Sequence, residues 1–298
     1  MGNKVKALKP VILIALSIMI LLSLLSGSAH AITGHYQIDS TSYVGIVVFF
    51  NAQQQPISYC SGTLISPTVI LTAGHGTHGA AFAIACFDQG PFDYSFQNGQ
   101  LSYYGNEPLH TGVPVTYPSY SLNVEAGTKA KDVLSVSDLG LVILDTPVQG
   151  VTKFATLPKV NFDDSLSVKT NLKVIGYGEQ TTAPPANSLL TSLSGTLSRN
   201  SATVQLLSDH FAGSEHYIKC TTNPSHGRGG VSFGDSGGPV IYQTRNGHNI
   251  LLAINAYLNN ANGYGPSYHT RVDNPQVLNW INAFLGKERD RNSITIQS

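Results

Sequence analysis

Charged side chains are scarce in this sequence. Lys, Arg, Asp and Glu together make 11% of the 298 residues, against about a quarter in an ordinary globular protein. The 17 cationic and 17 anionic side chains cancel, so no global field favours nucleic acid or an anionic membrane, and the scattered lysines and arginines read as solvated surface. Cysteine is rarer still, with Cys60, Cys86 and Cys220 alone. None has C-x-x-C or C-x-H spacing, which argues against a structural zinc site. Three thiols allow at most one internal disulfide; Cys60 with Cys86, in the same half of the chain, is the pair expected if one forms. What is abundant instead is Gly, Ser, Thr, Tyr and Val, a composition that suits an exported β-protein better than a cytosolic helical one.

The first thirty-one residues read as a targeting segment. Lys4, Lys6 and Lys9 make a positive start, and Val11 to Leu25 is a mainly apolar run, short for a membrane span of roughly twenty residues. Ser28-Ala29-His30-Ala31 then offers a small-residue cleavage site, leaving a mature chain that begins Ile32-Thr33-Gly34. Export to the periplasm or the medium is expected; an uncleaved membrane anchor is the alternative.

Beyond the signal, short β-rich runs alternate with turn residues, among them Val44 to Phe50, Tyr59 to Leu64, Leu139 to Leu144, Leu172 to Ile175 and Asn249 to Ala256. Many short strands without intervening helices predict an all-β sandwich or barrels. One helix is predicted over 274–286: Asn274 caps it, Pro275 fits its first turn, Val277, Trp280, Ile281 and Phe284 share a face, and Gly286 stops it. Asp88 to Val124 and Thr181 to Asn187 read as long surface loops, Lys287 to Ser298 as a polar tail, and Pro147 to Asp164 as the division between two halves.

The string Gly234-Asp235-Ser236-Gly237-Gly238-Pro239 is the most specific in the chain. Glycines let the Gly234 and Ser236 N–H groups converge on one point, and a tight turn exposes the Ser236 hydroxyl. Activating that hydroxyl needs a base and a group to orient the base. His75 stands where the apolar run Val69 to Leu71 gives way to small residues. Asp138 stands just before the apolar run Leu139 to Leu144, where a carboxylate drawn inward needs a partner; Asp132 is its competitor. His78 beside His75 raises a metal pair, but no third ligand follows.

The order His, Asp, Ser and the surrounding motifs resemble the chymotrypsin/trypsin-like serine proteases. Cys60-Ser61-Gly62-Thr63-Leu64-Ile65 through Thr72-Ala73-Gly74-His75 is similar to that family's first motif, and Ser137-Asp138-Leu139-Gly140-Leu141 to its Asp motif. Ile175-Gly176-Tyr177-Gly178 resembles its Gly-Trp-Gly with Tyr for Trp, and Tyr268-His269-Thr270-Arg271-Val272 resembles its last strand. The likeness runs over about residues 32–286. It implies two six-stranded antiparallel β-barrels, the first about 32–155 and the second about 165–272, with a C-terminal helix. It further implies a Ser236–His75–Asp138 triad in the cleft between the barrels, an oxyanion hole of Gly234 and Ser236, and no cofactor or metal. Partners implied are protein or peptide substrates, met by a monomer free of the membrane once the signal is cut.

In that family a freed Ile amino group pairs with the Asp before the nucleophile; here the signal cut itself exposes Ile32, with Asp235 as partner. The family's specificity pocket maps onto Gly230 at the base with Val231 beside it, and onto Ala256, Tyr257 and Leu258 along the wall. A base without an acid disfavours Lys or Arg in the substrate, and Leu258 favours small or medium apolar side chains. Two departures stand out. Gly76 replaces the cysteine that commonly pairs with the equivalent of Cys60, and Ser232 replaces another, so the family's disulfides do not carry over. A binding protein on the same fold is the competing class.

Overall fold

The computed structural model describes residues 32–97, 100–120, 136–178, 194–208, 210–222, 226–258 and 265–286. The expected signal segment, Asp132, the 181–187 loop and the 287–298 tail lie outside them. Two short N-terminal strands, β1 (Thr33–Gly34) and β2 (Gln37–Ile38), are followed by β3 (Val44–Phe50), β4 (Pro56–Leu64) and β5 (Val69–Thr72). A single helical turn, α1 (Gly74–Thr77), separates these from β6 (Phe82–Cys86). Then come β7 (Phe92–Gln97), β8 (Gln100–Tyr104), β9 (Leu109–Thr116) and β10 (Gly140–Leu144). Strands β3 to β6, β9 and β10 close an antiparallel barrel in the order β10-β5-β4-β3-β6-β9, sealed by the β9–β10 ladder.

The second half supplies β11 (Asn171–Gly176), β12 (Ser194–Leu197), β13 (Asn200–Ser208), β14 (Tyr217–Thr222) and β15 (Gly229–Gly230). It continues with β16 (Pro239–Gln243), β17 (Asn249–Leu258) and β18 (Gly265–Arg271). Its six long strands run β11-β16-β17-β18-β14-β13 and return through the β13–β11 ladder, with β2 added outside β13. Two closed six-stranded antiparallel barrels are therefore present, as the resemblance implies. The helix α2 (Pro275–Leu285) ends the described chain. Asn274 accepts the Gln276 N–H at 2.9 Å as its cap. Val277, Leu278, Ile281 and Leu285 are buried, each worth roughly 1.5–3 kcal/mol of apolar burial. Trp280 meets Tyr117 edge-on at 5.0 Å, so the last helix packs against the first half of the molecule.

Strand β3 is buried along its whole length, which explains its unbroken apolar sequence. Val47 and Phe49 join the main core, whereas Val48 and Phe50 form an outer cluster with Phe82, Ile84, Tyr94 and Leu101. That outer cluster exists because β7 and β8, with β12 beside β7, make a three-stranded sheet over the first barrel. The stretch read as a surface loop from Asp88 thus contains two strands of this added sheet and the barrel strand β9. Its alternation is short and broken by Gly and Pro, so the pattern does not announce strands. Since β12 comes from the second half, the sheet straps the halves together.

A buried arginine adds a second fastening. Arg199 donates to the carbonyls of Asp39 at 3.1 Å, Val44 at 2.8 Å and Phe87 at 3.2 Å, and to the Tyr177 hydroxyl at 3.1 Å. Tyr177, where the family has Trp, uses its hydroxyl to reach the Asp88 carbonyl. No disulfide assists, because all three cysteines are free. The Cys60–Cys86 pair expected from position in the chain does not form: Cys60 lies on β4 and Cys86 on β6, on opposite sides of β3. Two ladder spacings of about 4.8 Å exceed the Cα separation of about 7 Å that a disulfide can bridge.

Candidate active site

His75 is delivered to the cleft by the end of β5. Its strand runs out at Thr72, and Ala73 turns the chain into α1, whose first turn carries the imidazole. Asp138 precedes β10, and the β10–β5 ladder, with Gly140 opposite Thr72, brings the two residues together. One Asp138 oxygen accepts the His75 backbone N–H at 2.8 Å; the other meets Nδ1 at 2.7 Å. The carboxylate is thus held in one orientation and holds the ring in one tautomer, with Nδ1 protonated and Nε2 free to accept. Burial opposes the imidazolium, but the charge and hydrogen bond of Asp138 outweigh it and raise His75 well above the ordinary histidine value. The second barrel braces this pair: Thr270 donates to the Asp138 carbonyl at 3.2 Å, Ser137 bonds His216 at 3.0 Å, and Tyr217 donates to the Val136 carbonyl at 2.8 Å.

Ser236 lies on the facing wall, in the turn between β15 and β16. Gly234 there has φ +91°, a conformation that a side chain disfavours. The loop is pinned at three points. Ser61 donates through its N–H to the Ser236 carbonyl at 2.7 Å, Ser61 Oγ donates to the Gly234 carbonyl at 2.9 Å, and the Gly237 N–H reaches Asn255 at 2.8 Å. With those carbonyls turned inward, the Gly234 and Ser236 N–H groups have no partner among the described residues. His75 and Ser236 line one cleft of about 410 Å³. Their side chains are not within hydrogen-bond range, a contact that commonly tightens only around substrate.

Asp235, between these two residues, is fully buried. Desolvation pushes its pKa up to about 7, against the opposing pull of N–H groups from Ser232, Gly178 and Ile32. The first two bonds measure 2.7 and 2.8 Å. Ile32 is itself buried at 1% exposure, and β1 pairs with β15 to bring it there. Ile32 and Asp235 thus meet in space, 203 positions apart in chain order by subtraction of their numbers.

Of the expected pocket residues, Val231, Ala256, Tyr257 and Leu258 line the cleft, together with Ser232, Phe233 and Asn255. Gly230 does not line the cleft and lies in the β15 ladder opposite Thr33. Sequence reading passed over Phe233, which is 47% exposed at the cleft. It also passed over Ser61, whose hydroxyl accepts the Tyr177 N–H at 2.9 Å while donating to Gly234. Both roles depend on partners far away in the chain and leave no local signature. The sequence marks Cys60 as a motif residue and a disulfide candidate, and the fold puts its Sγ 3.9 Å from His75 Nε2. Among the described residues, no group of three or more His, Cys, Asp or Glu side chains is arranged to hold a metal, and no helix is long and apolar enough to cross a membrane.

A solved structure described as HL collagenase superimposes with a TM-score of 0.59 at 18% sequence identity, over 86% of this chain and 99% of that one. Identity at that level speaks for the fold. The trypsin family profile matches residues 32–281, a span that holds both barrels, the cleft and most of α2, and by it the chain belongs to the trypsin family of serine proteases.

Proposed function

We propose that this chain is an exported serine endopeptidase whose nucleophile is Ser236, with His75 as its base and Asp138 as the orienting acid. The observation that carries the reading is the His75–Asp138 pair, joined at 2.7 Å and facing Ser236 across one cleft. In the reaction, Nε2 of His75 takes the Ser236 proton as Oγ attacks the scissile carbonyl. The tetrahedral oxygen is received by the Gly234 and Ser236 N–H groups, donors worth roughly 3–4 kcal/mol each where one has been removed from such a site. His75 then gives its proton to the leaving amine. Water repeats the sequence to free the acyl-enzyme, and Asp138 keeps the imidazolium paired throughout.

Activation follows from the buried Asp235. In the uncut chain its carboxyl is met by neutral donors among the described residues, backbone N–H groups of Ser232, Gly178 and Ile32 and the Ser232 hydroxyl. Cutting the segment before Ile32 turns that N–H into an ammonium at the same place, so signal removal and activation are one event. Substrate choice is for small or medium apolar side chains, since Val231, Ala256 and Leu258 line the cleft and no acid joins them there among the described residues.

A fluorophosphonate probe tests the reading. Intact-mass analysis of the exported protein is expected to show a chain starting at Ile32 and labelled once, with Ser236→Ala unlabelled. A chain that starts at Ile32 and takes no label would sink the nucleophile assignment and bring a binding role forward. A peptide library cleaved mainly after Lys or Arg would refute the apolar preference.

A further inference from the structure

Cys60 lies in the wall of the first barrel, fully buried and packed among apolar side chains. Among the described residues, its sulfur has His75 Nε2 as hydrogen-bonding neighbour, at 3.9 Å. That nitrogen is the one left with a lone pair when Nδ1 is held by Asp138 at 2.7 Å. A neutral imidazole with a carboxylate behind its far nitrogen is the arrangement that histidine metal ligands adopt, the carboxylate fixing the tautomer and raising the basicity of the donor nitrogen. A thiol beside it supplies a soft second donor.

We infer that Cys60 and His75 together form a capture site for a soft divalent cation of the zinc type, through which such ions reversibly switch the enzyme off. The inference rests on the proposed role of His75 as base, because an ion on Nε2 occupies the lone pair that would take the Ser236 proton.

The geometry suits such an ion. With ligand lengths of about 2.3 Å to sulfur and about 2.0 Å to nitrogen, the observed separation corresponds to an angle of about 130° at the metal; a tetrahedral angle needs the two atoms to close by about 0.4 Å. His75 lines the cleft, so the ion reaches Nε2 from solvent, and water or chloride fills the positions the protein leaves open. As the ion binds, Cys60 loses its thiol proton to solvent to form the thiolate, and His75, where Asp138 holds it as the imidazolium, loses its Nε2 proton likewise. Two protein ligands make a site that binds and releases rather than a permanent structural one. Hard cations such as calcium, which prefer oxygen, are not held.

Gly76 makes the site available. A Cβ there would stand 2.7 Å from the Cys60 sulfur and 2.8 Å from the Phe49 ring. Any side chain would crowd the thiol, and a cysteine would consume it in a disulfide. Glycine leaves the sulfur facing the imidazole with nothing bonded to it.

The test uses the mature chain beginning at Ile32. Zinc chloride is titrated against peptide hydrolysis, and cadmium chloride is titrated separately while the ultraviolet cadmium–thiolate absorption is followed, a reading that needs no activity. Zinc is expected to inhibit the wild type and EDTA to restore it. Cys60→Ala is expected to hydrolyse peptide normally without metal and to need at least about tenfold more zinc for half inhibition, the scale on which metal sites respond to altered support. Cys60→Ser, which keeps the side-chain size, should behave likewise. One equivalent of cadmium should give the thiolate band in the wild type, none in Cys60→Ala, and a weakened titration in His75→Ala. Equal zinc sensitivity of wild type and both Cys60 variants, or no cadmium band in the wild type, overturns the inference while leaving the peptidase assignment standing. A protein that binds cadmium through Cys60 but cleaves no peptide supports the site and overturns the assignment instead.

Discussion

The two walls of the cleft hold one buried carboxylate each, and the two are supported differently. On the first barrel, Asp138 has a histidine on one oxygen and a backbone N–H on the other, at 2.7 and 2.8 Å. On the second, Asp235 is buried more deeply and is met by neutral donors, N–H groups and the Ser232 hydroxyl, and its pKa rises to about 7 where a normal aspartate sits near 4. A carboxylate that titrates near neutrality inside a protein is waiting for a positive charge or a proton. The first wall is complete as the chain folds. The second has no cation on its carboxylate among the described residues, and the Ile32 N–H is already beside it.

The largest effects should come from removing the chemistry shared by both walls. Ser236→Ala or His75→Ala is expected to lower kcat by about 10⁶-fold, as in another serine protease with such a triad. The melting temperature should stay within a few degrees, and a defect in folding instead would remove the distinction between machinery and scaffold. Asp138→Asn should cost about 10⁴-fold, because the wrong tautomer is then presented to Ser236. In the wild type, the acid limb of kcat/KM is expected above the ordinary histidine value, since Asp138 holds His75 up.

The second wall is broken by pH. In the uncut chain, Asp235 binds its proton more tightly folded than unfolded. Its contribution to stability is present below about pH 4 and is lost as the pH rises towards 7, a swing of about 4 kcal/mol for a shift of this size. Denaturant melts of uncut wild type against uncut Asp235→Asn should differ by that slope, and cutting before Ile32 should abolish it. An added residue that keeps Ile32 acylated should cost activity by about 10²-fold, the scale of losing an oxyanion donor, while the His75–Asp138 pair stays intact by its downfield proton resonance. The smallest effect lies away from both walls: Asn274→Ala should lower stability by about 1 kcal/mol through loss of the cap and leave activity unchanged.

The contrast between walls also marks what the sequence could reveal. Gly234 to Pro239 and the run into His75 are local constraints, a tight turn and a strand end, and they are written in consecutive residues. Two barrels follow from many short strands once the motifs supply the connectivity. Strands β7 and β8 escape because β12, which joins β7 to the second half, is about a hundred residues away and their own alternation is short. The environment of Cys60 escapes for a related reason: spacing shows which cysteine is missing at Gly76, and only the fold shows that the orphaned sulfur then faces an imidazole. Arg199 reads as surface charge, yet it is 3% exposed, its partners being three carbonyls and the Tyr177 hydroxyl, which carry no local signature in the sequence.

The sheet shared by β7, β8 and β12 and the Arg199 cluster beside it fasten the barrels to each other along one continuous seam. Drawing the walls apart means breaking a β-ladder and stranding a buried cation, so the slot between them has a nearly fixed gauge. A slot that cannot widen admits one extended strand of polypeptide and turns away an intact globule. We expect what reaches Ser236 to arrive already unravelled, as a loose terminus, a slack loop or the debris of a protein that has lost its shape.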